Sequence, residues 1–436
     1  CVRPAPARTH TTPLPRAAPA PGGPRPPPAL ASVTAILARA FDGAARAKAF
    51  GLFGTFLGAG LAFGPAFGGA LVNLWGWRSV FLVLAAVSAL VLLSTPLLPR
   101  SEPHKGPRFD WSGSLAFGFG VALFVLALVE GPGRGWTDPV VLAAAAGCLA
   151  LMVVFVVVER RTQHPMFDLG LFARPRFLAV CVVPLVLAFS FVAVVIVLPP
   201  YLTSTSGMSA LRIGVVLLLL TGPSLVMPAL TGLVAQKVSQ RTLFVVLLAC
   251  SAAGAAGLTL VEPGASAAAQ AGPLLLLGIG YGMSLGILDG AAVSAVEPER
   301  MGMAAGMFNT VRLASDTISM AGLGTLVTAF TKSVLDSDAV SAYPGGGDEL
   351  TSRALQGGLT EAVGTLPAGE VRDRVAGAMA DAYANGLHTT MWIVAAACAV
   401  SAVAVGGLLS RTRTGADEYA GTADDSATSP EPAAPR

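Results

Sequence analysis

Three ionisable residues stand inside long apolar runs, where a charge is costly: Asp289, Arg312 and Asp316. A charged side chain at the centre of a membrane-length helix costs about 2.5–3.5 kcal/mol on insertion scales, so its presence points to a pathway for protons, ions or substrate. Asp289 closes the run Tyr281-Gly282-Met283-Ser284-Leu285-Gly286-Ile287-Leu288, while Arg312 and Asp316 are four residues apart and share one helical face. A buried acid next to a guanidinium can change its protonation with occupancy, because desolvation favours the neutral acid and the arginine favours the charged one. In this reading Asp289 or Asp316 loses and regains a proton while Arg312 and substrate compete for the carboxylate. The structural alternative is a self-neutralising pair of Arg312 and Asp316 that holds two helices together.

Tyr281 and Asn309 are candidates to line a cavity near these charges, and Phe189, Phe191 and Tyr201 are candidate contacts for an apolar cation or drug. Each also has an ordinary role, the rings in packing or interfacial anchoring and Asn309 in a hydrogen bond between helices. Glu130, Asp138 and Glu159 fall at the ends of apolar runs and are expected to be solvated. His10, His104, His164 and His388 lie in loops or near run ends, and the cysteines lie singly, so no catalytic cluster, metal site or cofactor site is expected. None of the lysines sits in a Gly-x-x-x-x-Gly-Lys-Ser/Thr loop, which excludes an ATP-driven pump of that type.

The elements that must position these residues follow from composition. Of 436 residues, 54% are hydrophobic and 12% charged, against about 25% charged in a soluble domain. Net charge is only +3 with no long basic run, so nucleic acid is not an expected partner. The expected solvent is a lipid bilayer. Ten stretches approach the roughly 20 apolar residues that a membrane helix needs, at about 46–72, 77–98, 112–130, 138–158, 177–202, 211–235, 242–261, 272–295, 301–330 and 386–409. An eleventh piece, 29–40, reads as the end of another. None alternates with period two, so the fold class is all-α, a polytopic transmembrane helix bundle rather than a barrel.

Basic residues in short loops set orientation. One set of alternate loops with the tail holds fifteen: Arg39, Arg46, Lys48, Arg100, Lys105, Arg108, Arg160, Arg161, Arg174, Arg176, Lys237, Arg241, Arg300, Arg411 and Arg413. The short loops between them hold Arg78, Arg134 and Arg212. The richer set and the C-terminus are therefore expected in the cytoplasm, with the protein in the plasma membrane. The connection 331–385, with eight acidic against four basic residues, is expected outside, carrying short amphipathic helices near 349–363 and 368–384.

Gly51 to Gly69 reads GLFGTFLGAGLAFGPAFGG. Gly60, Gly64 and Gly68 recur at every fourth residue, a bare stripe along which a neighbouring helix can approach, and Pro65 removes a ladder hydrogen bond and bends the helix. With Gly51, Gly68-Gly69, Gly76-Trp77-Arg78 and Phe81, this run resembles the antiporter motif of helix five in the major facilitator superfamily. The chain from about Ala29 to Arg413 is similar to the fourteen-span drug:proton antiporter family within it. Phe109-Asp110-Trp111-Ser112-Gly113, Gly135-Trp136, Leu198-Pro199-Pro200-Tyr201-Leu202 and Gly302 through Gly306-Met307-Phe308-Asn309-Thr310-Val311-Arg312 match that family's habits. In Gly232 to Arg241, which resembles a degenerate copy of the family's loop motif, Gln236 and Ser239 replace the usual acid and glycine, and a charge-relay role there is not expected.

The resemblance implies helices five to fourteen and an organisation in five parts. Residues 1–28, Pro- and Arg-rich, are expected to be disordered and to reflect a truncated or out-of-frame start. Residues 29–98 are the expected remnant of the first helical half, 99–176 an inserted two-helix linker region, 177–410 the second six-helix half with the outer loop 331–385, and 411–436 a disordered cytoplasmic tail. It further implies a secondary transporter, not an enzyme, that exports small hydrophobic or cationic drugs or antibiotics in exchange for protons. The alternative from another class is a truncated, non-transporting membrane remnant or assembly partner, because a chain with two helices of its first half is not expected to transport alone. Facilitated nutrient uptake is disfavoured by the exporter-like run 51–69.

Overall fold

A segment buried in hydrocarbon has no water for its backbone groups, so it closes its own hydrogen bonds as a helix. The computed structural model of the chain describes residues 29–41, 43–94, 110–162, 167–262, 265, 267–297, 300–335, 340–341 and 343–410. The expectations for 1–28 and 411–436 lie outside the described residues. Among those described, there is no strand, and the all-α expectation holds.

The helices are α1 (Ala29–Ala40), α2 (Gly43–Trp75), α3 (Arg78–Ser94), α4 (Trp111–Arg134), α5 (Pro139–Arg161), α6 (Pro175–Leu187), α7 (Ala193–Ser206), α8 (Ala210–Thr221), α9 (Pro223–Val234), α10 (Gln240–Leu258), α11 (Ala267–Ser294), α12 (Met301–Val334), α13 (Gly346–Leu355), α14 (Leu359–Gly364) and α15 (Glu370–Ser410). A π-helical turn, Ala188–Val192, joins α6 to α7 in one rod, and α8 runs on into α9 through Gly222. Nine of the described segments are long and apolar enough to cross a membrane. The expected span 77–98 is represented by the 17-residue apolar helix Arg78–Ser94, with 95–98 outside the described residues. Leu90, Leu92, Leu93, Val400 and Val403 are exposed on these rods, as lipid-facing side chains should be.

The last helix differs from expectation. A separate amphipathic helix over 368–384 does not end before the final span; α15 runs unbroken for 41 residues. Gly386 permits this, because a Cβ there would lie 2.4 Å from Oγ1 of Thr331 and 3.0 Å from the Val327 carbonyl oxygen. The glycine lets α15 lie against the end of α12 without a break. The expected 349–363 helix is instead two short ones, α13 and α14, separated by Gly357 at φ +84°.

The α4–α5 pair packs chiefly on itself and meets the rest of the bundle along α12. There Thr325 donates its hydroxyl to the Leu128 carbonyl at 2.6 Å, and Lys332 donates to the Pro132 carbonyl at 3.2 Å. Helix α2 packs against α9 and α11 through a row that the sequence reading did not single out. A Cβ on Gly58 would fall 1.7 Å from the Ser224 carbonyl oxygen, one on Gly54 2.5 Å from that of Leu285, and one on Gly51 3.1 Å from the Gly232 Cα. By contrast Gly60, Gly64 and Gly68 have nothing among the described residues within 4 Å of the place a Cβ would take. Among the described residues, the backbone-to-backbone approach on α2 is made along 51, 54 and 58, with Gly51 the motif glycine that takes part.

Candidate functional site

The site is built where α11 breaks. Leu285 (ψ 124°) and Gly286 (φ 88°, ψ −47°) leave helical geometry, so the rod is two half-helices. Glycine is required at 286 twice over: the φ is one that side chains rarely adopt, and a Cβ would lie 2.2 Å from the Phe50 carbonyl oxygen on α2. Asp289 follows in the first turn of the second half-helix, where unsatisfied amides and the helix dipole favour a negative charge. Interrupted helices of this kind supply substrate and ion sites in many secondary transporters.

Arg312 of α12 donates from Nη1 to Oδ2 of Asp289 at 3.0 Å. The Asp289 side chain is 1% exposed and that of Arg312 16%. The carboxylate is therefore sealed while the guanidinium keeps a path to the outside of the pair. Asn309, one turn earlier on α12 and buried, donates its amide to the Ala305 carbonyl at 3.0 Å and borders Asp289. Oδ1 of Asp289 and Oδ1 of Asn309 have no hydrogen-bond partner among the described residues. That leaves spare acceptor capacity in a dry place, which is expensive unless a proton or donor uses it.

The alternative pairing of Arg312 with Asp316 is not formed. Asp316 makes no salt bridge among the described residues, although it is half-buried and lies one turn from Arg312 on the same helix. The carboxylate of the neighbouring helix takes the arginine instead.

Aromatic residues close the site on another side. Phe191, fully buried within the π-helical turn, stacks on Tyr281 with ring centroids 4.0 Å apart and planes 6° apart. The extra residue in that turn shifts the register between α6 and α7. Tyr281 in turn lies within the field of Asp316, Arg312 and Asp289. Phe191, Tyr281, Asp289, Asn309, Arg312 and Asp316 thus form one neighbourhood. The other two candidates do not join it. The Phe189 ring lies about 3 Å from where a Gly322 Cβ would stand, against α12. Tyr201 meets Tyr383 edge-on at 5.2 Å and borders a small recess with Gln270 and His388.

Sequence reasoning missed the break at Gly286 and the π-helical turn. Two glycines at 282 and 286 before an intramembrane acid were the signal available for the first; nothing in the Ala188–Val192 run announces the second. It also placed Glu159 in solvent, whereas Glu159 is 4% exposed. Glu130 and Asp138 stand as expected at accessible ends, the first paired with Arg134 and the second capping α5 through the Val140 amide.

The sequence profile of the Major Facilitator Superfamily matches residues 27–320. Among curated proteins, the chain is similar to "Multidrug resistance protein Stp" of Mycobacterium tuberculosis, 31% identical over 324 residues, covering 72% of this chain and 59% of that protein. It is 31% identical to "Puromycin resistance protein pur8" of Streptomyces alboniger over 325 residues, 72% of this chain and 63% of the relative. With "Tetracenomycin C resistance and export protein" of Streptomyces glaucescens it shares 28% identity over 367 residues, 82% of this chain and 67% of the relative. The chain spans about three fifths of the length of the first of these relatives. A profile match across two thirds of the residues, on a bundle of membrane-length helices with an interrupted rod at its charged centre, places this multi-pass membrane chain in the Major Facilitator Superfamily.

Proposed function

We propose that the chain serves proton-coupled export of small hydrophobic or cationic drugs or antibiotics across the plasma membrane, with its C-terminus in the cytoplasm. The observation that carries this reading is the sealed Asp289–Arg312 pair directly after the break in α11. Supporting it are the names of the similar proteins, which concern drug resistance and export.

In the proposed cycle Asp289 is the proton carrier. While it is ionised, Arg312 holds it and ties α11 to α12. A proton on Asp289 removes the charge that Arg312 faces, and the guanidinium turns to Asp316, one turn along its own helix. The contact between α11 and α12 is then free to change at the Gly286 break. A cationic substrate competes with Arg312 for the carboxylates, and the stacked Phe191–Tyr281 rings offer an apolar and cation-tolerant wall. Residues 29–98, 99–176 and 177–410 act as the first-half, inserted-pair and second-half portions, and the open Gly60–Gly64–Gly68 face with Pro65 and Gly69 serves as the antiporter element.

The test is drug susceptibility of cells expressing the chain, with and without a collapsed proton gradient. Resistance to puromycin or a lipophilic dye that depends on the gradient and disappears in Asp289→Asn supports the reading. Equal susceptibility of expressing and control cells, with the protein present in the membrane, overturns it.

A further inference from the structure

A second buried acidic group lies far from Asp289, where the start of α4 meets the end of α5. Asp110 caps α4 and is 7% exposed; Glu159, in the last turn of α5, is 4% exposed. Oδ1 of Asp110 accepts from the Ser112 hydroxyl at 2.6 Å and the Gly113 amide at 2.9 Å. Oε2 of Glu159 accepts from the Phe167 amide at 3.2 Å. The other two oxygens, Oδ2 of Asp110 and Oε1 of Glu159, have no partner among the described residues. Both point at one spot: a Cβ on Gly113 would be 2.5 Å from the first and 2.9 Å from the second. The two oxygens are thus no farther apart than the sum of those distances. Glycine at 113 is what leaves the space between them open.

Two ionised carboxylates with facing, unsolvated oxygens repel each other, and one of such a pair holds a proton. Among the described residues, neither carboxylate takes part in a salt bridge. Arg160 and Arg161, next on α5, are exposed. On the segment that follows, Asp168 is taken by Arg300 at 2.8 Å and Arg174 by Glu297 at 3.0 Å. On α12, which packs along α4, Arg312 is held by Asp289, with Asp316 beside it, and Lys332 bonds at the opposite end of α4. Phe117, Phe155 and Phe167, with mutual ring-centroid distances of 5.3–5.6 Å, form an apolar plug beside the pair.

We propose that Asp110 and Glu159 form a proton-binding pair, in which Glu159 carries the proton on Oε1 and donates it to Oδ2 of an ionised Asp110. This single hydrogen bond satisfies both orphaned oxygens. The assignment of roles follows from the donors. Burial pushes the Asp110 carboxyl up, but the Gly113 amide, the Ser112 hydroxyl and the Ser112 amide outweigh it and hold it below the usual aspartate value. Glu159 has one donor, the Phe167 amide, and faces the Asp110 charge. When the proton leaves to water, two negative charges face each other and the clasp between α4, α5 and the Phe167 segment loosens. The site is separate from Asp289 and stands whether or not the export reading holds.

The test is infrared difference spectroscopy of the purified full chain in lipid nanodiscs, titrated from acid to alkaline pH. The wild type is expected to show the carbonyl stretch of a protonated carboxylic acid that is absent from Glu159→Gln, with Asp289→Asn retaining it. In Asp110→Asn the signal is expected to vanish at lower pH than in the wild type, since the facing charge is gone. Glu159→Gln mimics the protonated acid, so its melting temperature is expected to lose the alkaline fall that the wild type shows. Identical spectra and identical pH–melting profiles for wild type and Glu159→Gln overturn the proposal. So does a wild-type melting temperature that rises with added sodium in the absence of a carboxylic-acid band, which indicates a metal cation between the oxygens. Should Glu159→Gln fail to fold, the Asp110→Asn titration decides alone, and an unshifted midpoint overturns the proposal.

Discussion

Nη1 of Arg312 and Oδ2 of Asp289 meet at 3.0 Å across two different helices, although the acid nearest to Arg312 in sequence is Asp316. The pairing joins the half-helix after the Gly286 break to the long helix α12. It also separates the two acids by environment, since the Asp289 side chain is 1% exposed whereas Asp316 is half-buried.

Removing one partner of this pair strands a buried charge. Arg312→Met is expected to destabilise the protein by about 3–5 kcal/mol, while Asp289→Leu with Arg312→Met recovers most of the loss, because a buried ion pair replaced on both sides by apolar groups is often neutral in stability. Chemical unfolding in detergent, followed by helical signal, checks both values. Equal stability of the single and double variants would show that the two side chains do not depend on each other.

The two glycine rows of α2 should respond oppositely to added bulk. Gly54→Val and Gly58→Val drive atoms into the Leu285 and Ser224 carbonyls and are expected to abolish monodisperse protein. Gly64→Val meets open space and is expected to leave yield and melting temperature near wild type. Size-exclusion profiles of the three variants settle the comparison.

The Phe191–Tyr281 stack separates ring from hydroxyl. Phe191→Ala removes a fully buried ring and is expected to cost about 3–5 kcal/mol. Tyr281→Phe keeps the stacked geometry, so its stability should stay within about 1 kcal/mol of wild type, the scale of a single hydrogen bond. A large loss in Tyr281→Phe, measured by the same unfolding assay, would place the weight on the hydroxyl.

Asp110 gives a pH dependence whose sign is fixed. Its carboxyl lies below the ordinary aspartate value in the fold, after burial is outweighed by the Gly113 and Ser112 donors. Its contribution is therefore present above the unfolded value of about 3.9 and lost as pH falls through the lower folded value. Asp110→Ala is expected to cost about 0.5–2 kcal/mol at neutral pH, the usual worth of an N-cap, and the difference from wild type should shrink as the medium is acidified below that point. A difference that stays constant into strong acid contradicts this account of the cap.

Much of the architecture was legible because lipid imposes a length on every apolar run, and the observed helices follow the expected spans closely. The importance of Asp289 and Arg312 was legible for the same reason: charge is conspicuous in hydrocarbon. What the residue order could not show was contact between distant segments. Spacing favours Arg312 with Asp316, but α11 delivers Asp289 to the same guanidinium. A four-residue repeat marks Gly60, Gly64 and Gly68 as bare, yet only the arrangement of α9 and α11 reveals that Gly51, Gly54 and Gly58 are the crowded row. Glu159 looks solvated at the end of its run, but the Phe167 segment folds back over it. Gly286 was visible as a residue and invisible as a break, since a glycine in an apolar run has no obligation to leave the helix.

The most direct test of the central claim is proton movement in sealed proteoliposomes containing the chain, read by an internal pH dye as a lipophilic cation is added. The account predicts a cation-dependent proton flux in the wild type that is lost in Asp289→Asn, compared at equal amounts of folded, reconstituted protein. An undiminished flux in Asp289→Asn, or a wild-type chain that moves no protons when the cation is added, would contradict it.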